Sequence, residues 1–219
     1  MITLKDITDN QTIKTYIRKS DEALAELGYT EHSFAHVNRV SQMAGNLIKE
    51  LGFDDRTVEL TRIAGYMHDI GNLANRVEHS QSGAVMAFCL LTQMDCPPED
   101  IAAIVSAIGN HDEGTGVPVN EIAAALIIAD KSDVRRSRVR TADQKDFDVH
   151  DRVNYSVTDS VLKIRKDKSE IVLSLTVDTE VSPVMTYFEI FLDRMLLCRR
   201  AAEKLGTQFK LVINGQVMI

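Results

Sequence analysis

Tryptophan is absent, and aromatic residues make up only 5% of the 219 positions. A stacking platform for single-stranded nucleic acid needs several exposed rings, so the composition argues against that class. A surplus of basic charge is missing too. Lys and Arg number 25 against 32 Asp and Glu, a formal net charge of −7. A protein that coats nucleic acid needs a basic surface to displace counterions, so no nucleic-acid partner is expected. The longest apolar run, residues 122 to 129, falls far short of the roughly 20 residues of a membrane helix. The opening MITLKDITDN has no basic run leading into an apolar stretch, so no signal peptide is expected. Cysteine is sparse: Cys89, Cys96 and Cys198 are odd in number and match no zinc spacing. They read as reduced thiols of a cytoplasmic protein. There is no Gly-rich loop ending in Gly-Lys-Ser/Thr, no Gly-x-Ser-x-Gly and no Cys-x-x-Cys. What is present is an ordinary globular balance, 44% apolar and 26% charged, enough to exclude disorder over most of the chain.

The pattern changes near residue 140. Before it, apolar residues recur at helical spacing. A helix is expected from about Ser33 to Leu51, stopped by Gly52, and a second from behind Asp54 to Gly71. Others are expected from Ser80 or Ser82 through Leu91, from Pro97-Pro98 through Ile108, and from Pro118 through Ala129. A weaker one spans Ile7 to Leu27. Beyond the polar stretch 141–155, a candidate linker containing His150, alternation begins. Val157 to Arg165 and Glu170 to Val177 read as a hairpin, Val184 to Leu205 as a helix, and Phe209 to Ile213 as a strand. The expected organisation is therefore a helical domain over 1–140 and a small β-β-α-β extension over 156–219.

Histidines and carboxylates fall on the apolar faces of these helices. His36 precedes Val40 by four, and His68 follows Ala64 by four with Asp69 beside it. His111 follows Ile108 by three, and Asp130 follows Leu126 by four. Each points where its helix buries surface. One inward histidine is ordinarily a hydrogen-bonded core residue. Several imidazoles and two acids buried on separate helices are costly without an ion. Four helices sending His and Asp inward are a way to build a metal site in a bundle, and mixed nitrogen and oxygen donors suit Fe, Mn, Zn, Co or Ni.

The ordered set of His36, His68-Asp69-Ile70-Gly71 and Asp130 resembles the HD superfamily of metal-dependent phosphohydrolases. The likeness covers roughly residues 30 to 140 and implies a mainly α fold, an HD-domain helical bundle. It also implies that His36, His68, Asp69 and Asp130 hold one divalent ion. His79-Ser80-Gln81-Ser82-Gly83 and His111-Asp112-Glu113 resemble the extra motifs of binuclear members. On that likeness His79 and His111 hold a second ion, with the two oxygens of Asp69 shared between both. Gly114-Thr115-Gly116-Val117-Pro118 departs from the Gly-Tyr-Pro motif of the cyclic-dinucleotide phosphodiesterases, and Asn110 stands where those carry a further histidine. That departure counts against cyclic-dinucleotide activity; another binuclear subfamily cleaves dinucleoside polyphosphates.

The resemblance implies hydrolysis of a phosphomonoester or phosphodiester, a nucleotide by preference, by metal-activated water. Asp69, Asp130 and Lys131 carry the chemistry in this reading. The segment 131–140 holds Lys131, Arg135, Arg136, Arg138 and Arg140 against Asp133 alone. Its arginines suit phosphate oxygens, so Arg135 and Arg136, with Arg39, are the expected phosphate contacts. His32 is expected to be a non-ligand. Two other readings stay open: a ligand sensor without turnover, and a di-iron oxygenase. The partner is a small-molecule phosphoester, with no membrane partner, and an edge strand of the extension leaves room for a homodimer.

Overall fold

The computed structural model describes residues 1–141 and 143–219. Asn10 divides the N-terminal helical region. Its backbone is extended and its side chain accepts from the Thr12 and Ile13 amides, so α1 (Leu4–Asp9) ends and α2 (Gln11–Glu26) begins there. One expected helix is thus two, because an asparagine cap competes with helix continuation. Ser33 caps α3 (Phe34–Leu51), and Gly52 ends it at φ 99°, a left-handed conformation suited to glycine. Asp54 caps α4 (Asp55–Met67).

The second predicted helix runs short. α4 stops at Met67, and Ile70–Leu73 continues as a 3-10 turn. Gly71 explains the tight path. A Cβ there would collide with the His79 carbonyl oxygen and the Gly83 amide nitrogen of the next helix. That helix, α5 (His79–Gln93), starts at His79, before Ser80. α6 (Pro98–Gly109) follows its prolines. α7 (Glu121–Lys131) starts three residues beyond Pro118, because the Asn120 side chain accepts from the Ala123 amide and caps it.

α7 is the axis of the bundle. Its residues 122–129 are all buried, and it packs against α3, α4, α6 and the later α9 (Val184–Lys204). Alanine at 123, 124, 125 and 129 lets four neighbours approach, while Ile122, Leu126, Ile127 and Ile128 supply the apolar surface. Each such large side chain contributes about 1.5–3 kcal/mol on burial. α3 and α4 also cross closely: a Cβ on Gly65 would lie 2.8 Å from the Ser41 Cα.

Within the stretch 141–155, Gln144–Asp146 form a 3-10 turn and α8 (Val149–Ser156) begins behind an Asp148 cap. β1 (Val157–Ile164) and β2 (Glu170–Val177) pair antiparallel. α9 then crosses to β3 (Gln208–Ile213), which pairs parallel with β2, and β4 (Gln216–Val217) closes the order β1-β2-β3-β4. Alternation buries Ile171, Leu173, Leu175 and Val177 with Phe209, Leu211 and Ile213. The fold is a mainly helical bundle with a small C-terminal sheet. Among the described residues no helix is long and apolar enough to cross a membrane.

Candidate metal centre

Six side chains converge from five helices and the 3-10 turn. His36 lies in the first turn of α3, His68 caps α4, and Asp69 precedes the 3-10 turn. His79 opens α5, His111 lies just past α6, and Asp130 sits in the last turn of α7. His36, His68, Asp69, His79 and His111 are each at most 5% exposed.

Two donor groups form. In the first, His36 Nε2 lies 3.3 Å from His68 Nε2, 3.5 Å from Asp69 Oδ2 and 3.4 Å from Asp130 Oδ1. His68 Nε2 lies 3.2 Å from Asp69 Oδ2 and 3.6 Å from Asp130 Oδ1. In the second, His79 Nε2 lies 3.2 Å from His111 Nε2 and 3.6 Å from Asp69 Oδ1, which is 4.0 Å from His111 Nε2. Donors bound at about 2.0–2.2 Å to a tetrahedral ion stand just over 3 Å apart, so these separations suit a cation between them. Asp69 turns one oxygen to each group.

The imidazole tautomers strengthen that fit. Nδ1 of His68, His79 and His111 each donates to a backbone carbonyl, at Gly65 (2.8 Å), Arg76 (3.1 Å) and Ile108 (2.6 Å). Nδ1 of His36 lies 2.7 Å from Asp133 Oδ2. With each Nδ1 bonded in this way, each Nε2 is turned to the carboxylates, and a lone pair facing a carboxylate needs a proton or a metal cation between them. Burial opposes charge on His68, yet Asp69 and Asp130 outweigh it and push its pKa up to about 10. The surroundings thus call for positive charge, which a divalent ion supplies.

Further contacts orient these donors. Asn72 Nδ2 donates to the Asp69 backbone oxygen at 2.9 Å and to Oδ1 at 3.0 Å. Asp133, fully buried at its side chain, meets Arg39 Nε (3.0 Å), Arg135 Nε (2.9 Å) and, at 3.9 Å, Arg138 Nη1. Lys131 Nζ lies 2.7 Å from both Asp130 Oδ2 and Glu113 Oε2, and Arg194 Nε of α9 lies 2.7 Å from Glu113 Oε1. Burial works against the Lys131 charge, but Asp130 and Glu113 hold the pKa above the ordinary lysine value.

A cavity of about 20 Å³ over the donors is lined by His32, Asp69, Arg76, His79, His111, Asp130, Lys131, Arg138 and Arg194. It shares His32, Arg76, Arg138 and Arg194 with an outer cleft of about 260 Å³. Arg39, Arg135 and Arg136 lie elsewhere. Arg39 and Arg135 hold Asp133 beside a separate surface hollow, and Arg136 donates to the Tyr155 carbonyl and pairs with Asp178. The cations that line the cavity are Lys131, Arg76, Arg138 and Arg194. Only Lys131 and Arg138 belong to the basic segment singled out in the sequence; Arg76 stands three residues before His79, and nothing near Arg194 marks it. His32, whose Nδ1 donates to the Thr30 carbonyl at 2.7 Å, lines both spaces without joining either donor group. Burial, with Arg138 nearby, holds its pKa well below the ordinary value.

The chain is 25% identical over 170 residues to an uncharacterized protein, MJ1020, of Methanocaldococcus jannaschii. That match takes in 66% of this chain and 64% of the relative, so just under two thirds of the archaeal protein is spanned. The crystal structure of a predicted HD superfamily hydrolase from an uncultured Thermotogales bacterium aligns over 61% of this chain and 75% of that one, at 21% identity and a TM-score of 0.46. The family model of the HD domain matches residues 33–153, more than half of the chain and all six converging donors. By that match and this donor set, the chain belongs to the HD domain family.

Proposed function

We propose that the protein is a divalent-metal-dependent phosphohydrolase acting on a phosphomonoester or phosphodiester, with a nucleotide as the natural substrate class. The observation that carries this reading is the junction of two things. Four outward lone pairs and two carboxylates form the donor groups, and a cationic cavity opens directly over them.

His36, His68, Asp69 and Asp130 would hold one ion, and Asp69, His79 and His111 a second. Bound there, Fe, Mn, Zn, Co or Ni would act as a Lewis acid toward phosphoryl oxygen and lower the pKa of water. The chain supplies the rest. Arg76, Arg138 and Arg194 offer planar forks to phosphate oxygens at the cavity rim, and Lys131 adds a point charge at its floor. These groups are already fixed by Asn72, Glu31, Asp133 and Glu113, so little reorganisation accompanies charge build-up on the phosphoryl group. A space of about 20 Å³ admits about one water, which limits solvent competition at the reacting atoms. Asp130 Oδ2 lies outside the donor group and accepts from Lys131 Nζ at 2.7 Å, so the lysine would hold the carboxylate that orients such a water.

The test is metal analysis of protein purified without chelator, followed by phosphate release from nucleotides and generic phosphoesters with metal restored. About two ions per chain with phosphate release supports the reading, and Asp69→Ala should lose metal and activity together. Full phosphatase activity in Asp69→Ala, or no metal uptake by the wild type, overturns it.

A further inference from the structure

Three guanidiniums stand where the inner cavity and the outer cleft meet. Arg76, Arg138 and Arg194, with His32, line both spaces. Acids balance their charge only in part. Among the described residues Arg76 forms no ion pair; its Nη1 donates to Asn72 Oδ1 at 3.3 Å, and its Cζ lies 5.7 Å from the Tyr29 ring centroid. Arg138 is 6% exposed, yet its nearest carboxylate oxygen among those residues, Asp133 Oδ2, is 3.9 Å away. Its Nε and Nη1 donate instead to the Glu31 and Asp133 carbonyls, at 2.9 Å each, and Nη2 has no partner among the described residues. Arg194 meets Glu113 through Nε alone. A buried charge is ordinarily paired, so guanidiniums left unbalanced around a cavity are a receptor for an anion.

The reacting phosphoryl group does not account for all three. It would lie against the donor groups and Lys131. The inner cavity, about 20 Å³, holds about one water, so no space is left beyond the donors for a second substituent. The phosphoryl group that reaches them is therefore terminal, and everything it carries lies on the outer side, among the arginines. The departing group lies there too. A guanidinium balances charge but keeps its protons, and the Nδ1 proton of His32 is committed to the Thr30 carbonyl. An alkoxide leaves poorly without a proton donor, whereas a phosphate leaves as a stable anion whose charge arginines are suited to meet. The outer cleft, about 260 Å³, lies just under the range of small-molecule sites, so it takes a second phosphate and the near part of its substituent. Asp148 and Asp151 line the cleft and not the cavity, so a longer run of phosphates would meet like charge.

We propose that the substrate ends in a diphosphate, with its terminal phosphoryl group at the donor groups and the adjoining phosphate held by Arg76, Arg138 and Arg194. The oxygen of water bonds to the terminal phosphorus, and the bond from that phosphorus to the bridging oxygen breaks. The bridging oxygen leaves with its electron pair as part of a monophosphate, and the protons of the water pass to the released phosphate and to solvent. The proposal rests on the phosphohydrolase reading and names its substrate class, so it is tested by binding as well as by turnover.

Adenosine nucleotides serve as probes. With metal restored, ADP should exceed AMP about 100-fold in kcat/KM for phosphate release, because Arg76 and Arg138 each add a charge-assisted hydrogen bond worth about 10-fold. ATP should gain nothing over ADP. The methylene-bridged analogue of ADP, which cannot be cleaved, should bind the metal-restored protein about 10-fold or more tighter than AMP by calorimetry. Arg76→Ala should cut the ratio of ADP to AMP turnover about 10-fold, and Arg76→Lys, which keeps the charge without the fork, should restore part of it. A variant that merely folded poorly or lost metal would lose both activities alike and keep their ratio. An ADP-to-AMP ratio near one in the wild type, or a ratio unchanged in Arg76→Ala, overturns the proposal. Equal phosphate release from AMP and ADP would do so while leaving the phosphohydrolase standing. Tighter binding of the analogue, with no phosphate release from either nucleotide, would uphold the diphosphate site and overturn the phosphohydrolase.

Discussion

His36 illustrates how one metal-facing side chain depends on residues that never face the cavity. Its Nε2 points at the donors because Nδ1 is held by Asp133, and Asp133 stays charged inside the protein because arginines surround it. Replacing Asp133 with Asn keeps an acceptor for Nδ1 but removes the charge that the arginines balance. Metal affinity should fall about 10–100-fold, the usual cost of losing such an outer partner. Losing one partner of a buried ion pair costs roughly 3–5 kcal/mol. Arg39 and Arg135 reach water at 39% and 20% exposure, so about half that is expected here. Thermal melting should drop by roughly 3–10 °C for a chain of this size. Competition with a chromophoric chelator checks the first effect and a melting curve the second. Unchanged metal affinity would show that Asp133 serves packing alone. The second donor group is separable. His79→Ala and His111→Ala should each lower bound metal from about two ions toward one, read by elemental analysis, while leaving the His36 group filled.

At the scale of elements, Gly71 fixes how the 3-10 turn meets α5. A Cβ would strike the His79 carbonyl, and His79 is itself a donor. Gly71→Ala should therefore destabilise the fold and lower metal stoichiometry together, whereas Gly28→Ala, with open space around its Cβ, should spare the metal. Gly28 sits at φ 79°, so that variant carries a strain cost of its own, about 1 kcal/mol, without reaching the donors. The same elements show what the sequence made legible. The helical stripes of α3, α4, α6 and α7 located their inward His and Asp residues, because burial imposes a period of 3.6 wherever a helix covers a core. Caps decided what periodicity left open. Asn10 splits one stripe into α1 and α2, and Asn120 delays α7 past Pro118, since a side-chain acceptor outcompetes a proline as a start signal here. The cations over the donors were legible only in part. Lys131 and Arg138 lie in a basic segment beside Asp130, but Arg194 arrives from a helix 60 residues further along, and tertiary packing alone brings it to Glu113. Density of like charge pointed to Arg135 and Arg136, which the fold spends on Asp133, Glu31 and Asp178.

On the scale of the whole molecule, the C-terminal extension contributes to the cavity. α9 packs on α7, and from it Arg194 reaches Glu113, which in turn holds Lys131 beside Asp130. This chain of four charges runs from the extension to a donor of the bundle. Its end at Arg194 lines both the inner cavity and the outer cleft, so a phosphate entering from the cleft meets it early. Arg194→Ala should raise KM for a phosphoester substrate about 10-fold or more, the weight of one charge-assisted hydrogen bond, and leave melting within a few degrees because Arg194 is partly exposed. Arg200, exposed on the same helix, provides the control. Arg200→Ala removes the same unit of charge from the molecule without touching the cavity. If long-range attraction of an anionic substrate to the chain governed the effect, the two variants would respond alike and both would lose their difference from wild type at high salt. If contact governs it, only Arg194→Ala loses affinity, and the deficit persists when salt is raised. Steady-state kinetics of the two variants at low and high ionic strength separates the outcomes, and equal behaviour would confine the extension to a structural role.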